Sequence, residues 1–146
     1  MIAVDTSAVM AIVLNEPAAD ALAAALEVED RLLISAGTVA EALIVAGRRN
    51  VGEEVAQLID GLGFEIINVT PASAQRIADA YAIWGNGAHP ASLNFGDCFA
   101  YAVAKEHDCP LLYVMSGRIS PRPISRLRYE AVAPRKSACC WLAIGS

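Results

Sequence analysis

The sequence contains few aromatic side chains and no long apolar run, although small aliphatic residues are abundant. Aromatic residues make up 6% of its 146 residues, whereas apolar residues make up 55%. No apolar stretch approaches the roughly 20 residues that a membrane-spanning helix needs. We therefore expect no membrane association. The aliphatic content is typical of helices packed on a buried sheet.

Basic residues are absent from the start of the chain, and cysteines and histidines form no recognisable pattern. The N-terminus reaches Asp5 without a basic residue, which argues against a secretory signal peptide and predicts a cytoplasmic protein. The four cysteines are then expected to be reduced thiols, because disulfides are rare in the cytosol. Their spacing, with only two histidines in the chain, matches no zinc-binding motif.

Positive charge is scarce over most of the chain and concentrated at its end. Residues 1–114 carry 5 basic and 15 acidic side chains, whereas residues 115–146 carry 6 basic and 1 acidic. This change predicts a domain at 1–114 followed by an atypical tail at 115–146. Because phosphate binding depends on Lys and Arg, the acidic part is a poor nucleic-acid surface by itself. If the protein acts on RNA, cations or a partner chain must supply the positive charge.

Short apolar runs alternate with helical patterns through residue 114. We predict strands at Met1–Val4, Leu32–Ser35, Phe64–Val69 and Leu111–Val114. We predict helices at residues 6–14, 18–26, 37–48, 51–62, 71–84 and 95–107. This alternation predicts an α/β fold, a three-layer α/β/α sandwich with a mainly parallel central sheet. Beyond Val114 no regular element is predicted, because the apolar end at residues 138–144 shows no periodicity.

Three acidic residues lie at the ends of predicted elements. Asp5 follows the first strand, Glu41 lies early in the helix after the second strand, and Asp97 begins the helix before the fourth strand. Strands end and helices begin at the same edge of a parallel sheet, so we expect these acids to converge on one cleft. Carboxylates without His or Cys suit Mg²⁺ or Mn²⁺. A cation held in this way can activate water for attack on a phosphoryl group.

A purely structural interpretation of the same acids is also open. Thr38 and Glu41 have the spacing of a capping box, and so do Asn94 and Asp97. Asp5 precedes a helix that it can cap. Spacing alone favours a structural role for each acid, although capping and metal binding can coexist. One alternative is therefore a structural α/β domain whose acids only cap helices.

Together, these segments resemble the motifs of PIN domains, in particular those of VapC toxins. Residues 2–8 resemble the opening of the family, residues 40–42 its second acidic motif, and residues 93–102 its third and most specific motif. Residues 110–114 resemble the strand that follows, so the resemblance covers residues 1–114 in order. It implies a PIN-like α/β/α fold and a Mg²⁺- or Mn²⁺-dependent endoribonuclease. It also implies a toxin that forms a homodimer and is held inactive by a VapB-type antitoxin.

The resemblance also assigns expected roles to individual residues. Asp5 and Asp97 correspond to metal-binding catalytic acids, and Glu41 corresponds to the second catalytic acid. Polar positions near the substrate correspond to Thr6, Ser7 and Asn94. The expected reaction is hydrolysis of RNA phosphodiester bonds.

The resemblance stops after the fourth strand. There the family usually has Gly-x-Asp-Phe, whose Asp is a fourth acid, whereas this chain has Arg118 in that segment and no acid until Glu130. An alternative function is therefore a decayed toxin that only dimerises or binds its antitoxin. A lost last strand would also expose a sheet edge, which the apolar end at residues 138–144 is available to cover.

A shifted reading frame is one hypothesis for the altered tail. With suitable codons chosen for residues 116–126, the shifted frame spells Val-Gly-Gln-Asp-Phe-Ala-Pro-Thr-Asp-Ile-Glu, which resembles the family ending. Sequencing the gene tests this hypothesis.

Overall fold

Strands and helices alternate in the computed structural model, which describes residues 1–115, 128–129 and 141–145. The strands are Ile2–Val4 (β1), Leu32–Ser35 (β2), Glu65–Ile67 (β3), Leu111–Met115 (β4), Arg128–Tyr129 (β5) and Trp141–Gly145 (β6). The helices are Thr6–Val13 (α1), Ala19–Glu27 (α2), Ala36–Arg48 (α3), Gly52–Gly61 (α4), Pro71–Trp84 (α5) and Phe95–Glu106 (α6). Among these described helices, none is long and apolar enough to cross a membrane.

The strands form one sheet in the order β3-β2-β1-β4-β6-β5. Neighbouring strands are parallel except for the antiparallel pair β5 and β6. Strand β1 lies between β2 and β4, with Ile2 aligned to Leu32 and Ala3 aligned to Leu111. The residue after β1 therefore lies at the centre of the sheet edge where the strands end.

Alternate residues of the central strands face two separate cores. Ile2 and Val4 pack with helices α1 to α4 on one face of the sheet. Ala3 and Leu33 pack with Val103 and other residues of α6 on the other face. This alternation follows from the two-residue period of a strand. The prediction of an α/β/α sandwich with a mainly parallel sheet is confirmed.

Helices α3 and α6 come close together because Gly37 has no side chain. A Cβ atom at this position would overlap the ring of Phe99. The Phe99 ring also makes an edge-to-face contact with Phe95, with ring centroids 4.9 Å apart. Gly37 thus lets the start of α6, where Asp97 lies, approach the start of α3.

The tail contributes two strands to the sheet, and here the sequence prediction was wrong for residues 141–145. Strand β6 runs parallel to β4, with Val114 aligned to Ile144. The local sequence gave no sign of this strand because it has no alternating pattern of apolar and polar residues. Pairing with the exposed edge of β4 sets its conformation instead. The altered motif around Arg118 lies outside the described residues. The division of the chain at residue 115 stays a prediction.

We expect Gly37→Ala to destabilise the protein by about 1–3 kcal/mol, because the added methyl group overpacks against Phe99. The free energy of unfolding in urea measures this change. Gly47→Ala, in the same helix with nothing within 4 Å of a Cβ atom, is the matched control and should stabilise by up to about 1 kcal/mol. Equal stability of the Gly37 variant and the unchanged protein would contradict this account of the helix contact.

Candidate active site

Asp5 lies where β1 leaves the sheet and α1 begins. It is the N-cap of α1, and its Oδ2 atom accepts hydrogen bonds from the Ser7 backbone N–H at 2.9 Å and the Ser7 hydroxyl at 2.6 Å. The side chain is 5% exposed. Its Oδ1 atom is buried and has no hydrogen-bond partner among the described residues. A buried carboxylate oxygen without a donor is unfavourable unless a cation or another donor reaches it.

Glu41 lies one turn deeper in α3 than the sequence predicted. The helix begins at Ala36, and Ser35 caps it by accepting a hydrogen bond from the Gly37 N–H at 3.2 Å. The predicted capping box of Thr38 and Glu41 is therefore wrong, because Ser35 at the end of β2 already occupies the cap position. The Glu41 carboxylate instead accepts a hydrogen bond from the Thr6 hydroxyl at 2.7 Å.

Gly96 brings the start of α6 against this carboxylate. A Cβ atom at position 96 would overlap the carboxylate carbon and an oxygen of Glu41. Sequence reasoning did not identify Gly96 as a residue of the site. The available signal was a glycine within the first turn of a helix, where its low helix propensity calls for another explanation such as close packing.

Asp97 and Asn94 form the capping box that the sequence predicted. The Asp97 carboxylate accepts a hydrogen bond from the Asn94 N–H at 2.7 Å, and the Asn94 side chain accepts one from the Asp97 N–H at 2.9 Å. The pKa of Asp97 is raised from 3.8 to about 6, mainly by burial. The charges of Asp5 and Glu41 also contribute to this rise, whereas the hydrogen bonds with Asn94 oppose it. The three acids therefore interact electrostatically in one site.

The donor atoms of this site suit a hard cation. They are carboxylate oxygens, and one of them, Asp5 Oδ1, is buried without a hydrogen bond. No group of three or more His, Cys, Asp or Glu side chains within the described ranges is arranged to hold a metal ion by itself. This arrangement is compatible with Mg²⁺, which is commonly held by one or two carboxylates and keeps several of its waters. Asp5 Oδ1 is thus available to such an ion.

The sequence matches a protein-family model over most of its length. Residues 2–114 match the family described as PIN domain. The chain belongs to the PIN-domain family. The match ends within β4, one residue before the strand ends, and it includes all three acids of the site.

Curated PIN-domain relatives match the chain over most of their length. The VapC ribonuclease Mb0625 of Mycobacterium bovis is 40% identical over 114 residues, which cover 75% of this chain and 86% of the relative. The ribonuclease VapC30 of Mycobacterium tuberculosis is 34% identical over 113 residues, with the same coverage. This PIN domain therefore groups with proteins named as VapC ribonucleases.

Solved structures share the PIN fold at low sequence identity. The crystal structure of Mycobacterium tuberculosis VapC20, described as a sarcin-ricin loop cleaving toxin, matches with a TM-score of 0.64 at 14% identity. The match covers 84% of this chain and 100% of that one. A toxin–antitoxin complex from Klebsiella pneumoniae matches with a TM-score of 0.57 at 19% identity, over 80% of this chain and 85% of that one. These matches agree with the α/β/α architecture.

We expect Glu41→Gln to lower the pKa of Asp97 from about 6 toward its ordinary value of 3.8. The charge of Glu41 favours the protonated form of Asp97, so removing this charge shifts the titration midpoint to lower pH. NMR titration of the Asp97 carboxyl group in metal-free protein measures the shift. Glu54→Gln on α4 is the control. An unchanged midpoint in the Glu41 variant would show that the two acids do not interact.

Proposed function

We propose that this PIN-domain protein is an endoribonuclease that depends on Mg²⁺ or Mn²⁺ and hydrolyses RNA phosphodiester bonds. The observation that carries the proposal is the unpartnered, buried Oδ1 atom of Asp5, in a site where Asp5 and Glu41 raise the pKa of Asp97. Acids that only capped helices would not need an uncompensated oxygen at this position.

The three acids have two proposed roles. Asp5 and Asp97 hold the divalent cation. When bound, such a cation lowers the pKa of a water molecule and stabilises negative charge on a phosphoryl group. The Glu41 carboxylate, held by the Thr6 hydroxyl, accepts the proton of the attacking water. Asn94 orients Asp97 through the capping box.

The charge of the protein supports a requirement for cations. Residues 1–114 carry only 5 basic side chains. Two of these, Arg31 and Arg76, form ion pairs with Glu65 and Glu106. RNA phosphates that approach residues 1–114 therefore meet a predominantly acidic region, and bound cations reduce the repulsion there.

We also propose that the protein is a toxin that acts in the cytoplasm as a homodimer and is bound by a VapB-type antitoxin. The names of the VapC relatives and the toxin–antitoxin neighbour support this assignment. Large apolar side chains exposed on the described helices supply surface for association: Ile44, Ile83 and Phe95. The free thiol of Cys98 is compatible with a reducing compartment.

We expect the purified protein to cleave RNA in Mn²⁺ or Mg²⁺, and Asp5→Asn and Asp97→Asn to lower the rate by about 10²–10⁴-fold. This is the range expected for loss of a group that acts on the reacting atoms. Gel analysis of a labelled single-stranded RNA measures the rate, and EDTA should abolish cleavage.

Asp60→Asn, on an exposed part of α4, is the matched control and should cleave at the unchanged rate. Cleavage that persists in the Asp5 and Asp97 variants would point to a contaminating nuclease. If the folded, unchanged protein did not cleave any RNA with either metal, the enzymatic function would be wrong.

We expect light scattering to give about twice the chain mass of 15.4 kDa, because exposed apolar side chains favour association of two copies. Addition of a cognate VapB-type antitoxin should produce a larger complex and inhibit cleavage. A mass near that of one chain at micromolar concentration would contradict the homodimer. Undiminished cleavage in the complex would contradict the antitoxin assignment.

A further inference from the structure

We propose that the Ser7 hydroxyl is a positioning group that links the end of β4 to the carboxylate of Asp5 and keeps Asp5 Oδ1 open for a cation. This inference rests on the metal-dependent function proposed above. It adds a specific physical task for Ser7 and connects the site to a strand that is remote in sequence.

The link arises because β1 leaves the sheet before β4 ends. The Asp5 N–H donates to the Leu112 carbonyl at 3.0 Å, which continues the ladder between β1 and β4. The Asp5 carbonyl then turns into α1 and accepts from the N–H groups of Ala8 and Val9 at 3.2 and 3.3 Å. The next donor on β4, the Val114 N–H, therefore has lost its acceptor on β1. The Ser7 hydroxyl oxygen accepts its hydrogen bond at 3.0 Å.

This hydrogen bond fixes the direction of the Ser7 hydroxyl proton. A serine hydroxyl has one hydrogen to donate and two lone pairs that accept. Its oxygen accepts from Val114, and the carboxylate of Asp5 is an acceptor, so the hydroxyl hydrogen must point to Asp5 Oδ2 at 2.6 Å. With the Ser7 N–H at 2.9 Å, Oδ2 already accepts two hydrogen bonds. The oxygen that remains for a cation is Oδ1, which is buried without a partner.

The arrangement resists rotation of the Asp5 side chain. Val114 is buried, with 9% exposure, and turning the Ser7 hydroxyl away would leave its N–H unsatisfied. Groups that fix the orientation of a metal ligand in this way raise metal affinity, because the ligand needs no rearrangement on binding.

Capping of α1 does not require the hydroxyl. The cap interaction is the hydrogen bond from the Ser7 backbone N–H to Asp5, and Ser7→Ala retains it. The variant therefore removes the link to β4 and one bond to Asp5 while it keeps the helix cap. This separates a positioning role from a structural one.

The experiment compares Mn²⁺ binding by the full chain and by Ser7→Ala, measured by titration calorimetry well below the melting temperature. We expect the affinity for Mn²⁺ to fall by about 10–100-fold in Ser7→Ala and to recover in Ser7→Thr, which keeps a hydroxyl. Hydrogen exchange of the Val114 amide in metal-free protein should become faster in Ser7→Ala. The matched control is Ser73→Ala, which removes a buried hydroxyl from the capping box of α5 and should leave Mn²⁺ affinity unchanged.

The outcomes distinguish the two proposals. If the unchanged protein binds Mn²⁺ and Ser7→Ala binds it equally well, the role of Ser7 is overturned and the proposed function stands. An equal loss of affinity in Ser73→Ala would also overturn it, because the effect would then reflect general stability. If the unchanged protein does not bind Mn²⁺, both proposals are overturned.

Discussion

Carboxylates of like charge repel each other, and the edge of this sheet holds three of them in one electrostatic environment. The repulsion is visible at Asp97, whose pKa is raised by burial and further by Asp5 and Glu41. Each acid has its own donor: Ser7 for Asp5, Thr6 for Glu41 and Asn94 for Asp97. Asp5 and Asp97 also lie at helix N-termini, where the partial positive charge of the helix favours an anion. Hydrogen-bond donors and helix N-termini thus offset the repulsion between the three carboxylates and hold them close together.

The first turn of α1 connects most of these interactions. Thr6 donates to Glu41 on α3, and Ser7 contacts both Asp5 and Val114 of β4. Thr6 therefore connects α1 to α3, and Ser7 connects the Asp5 carboxylate to β4. Because β6 pairs with the other side of β4, the tail strand lies next to the strand end on which Ser7 depends. The site and the tail belong to one continuous sheet, although the family match ends at residue 114.

The local sequence predicted the start of a helix well where it offers a single capping residue. It was insufficient where two residues could cap the same helix, and where residues distant in sequence come into contact. Helix α5 begins as predicted, because Thr70 caps it and Pro71 suits its first position. The capping alternative for Glu41 was wrong because Ser35, three residues before Thr38, takes the cap. The three acids were found from their places at element ends. The contact between Ser7 and Val114, 107 residues apart, and the strand β6 depend on the assembled sheet, which no local pattern reveals.

Gly96 makes the geometry of the site sensitive to substitution at a position outside the three acids. The carboxylate of Glu41 occupies the space that a Cβ atom would need, so every side chain larger than hydrogen requires this carboxylate to move. Every amino-acid substitution at this position introduces at least a Cβ atom. Each substitution at position 96 therefore changes the position of the Glu41 carboxylate. A substitution at position 96 thus changes the geometry of the site while it leaves all three acids in the sequence, so the presence of the acids alone does not guarantee an intact site.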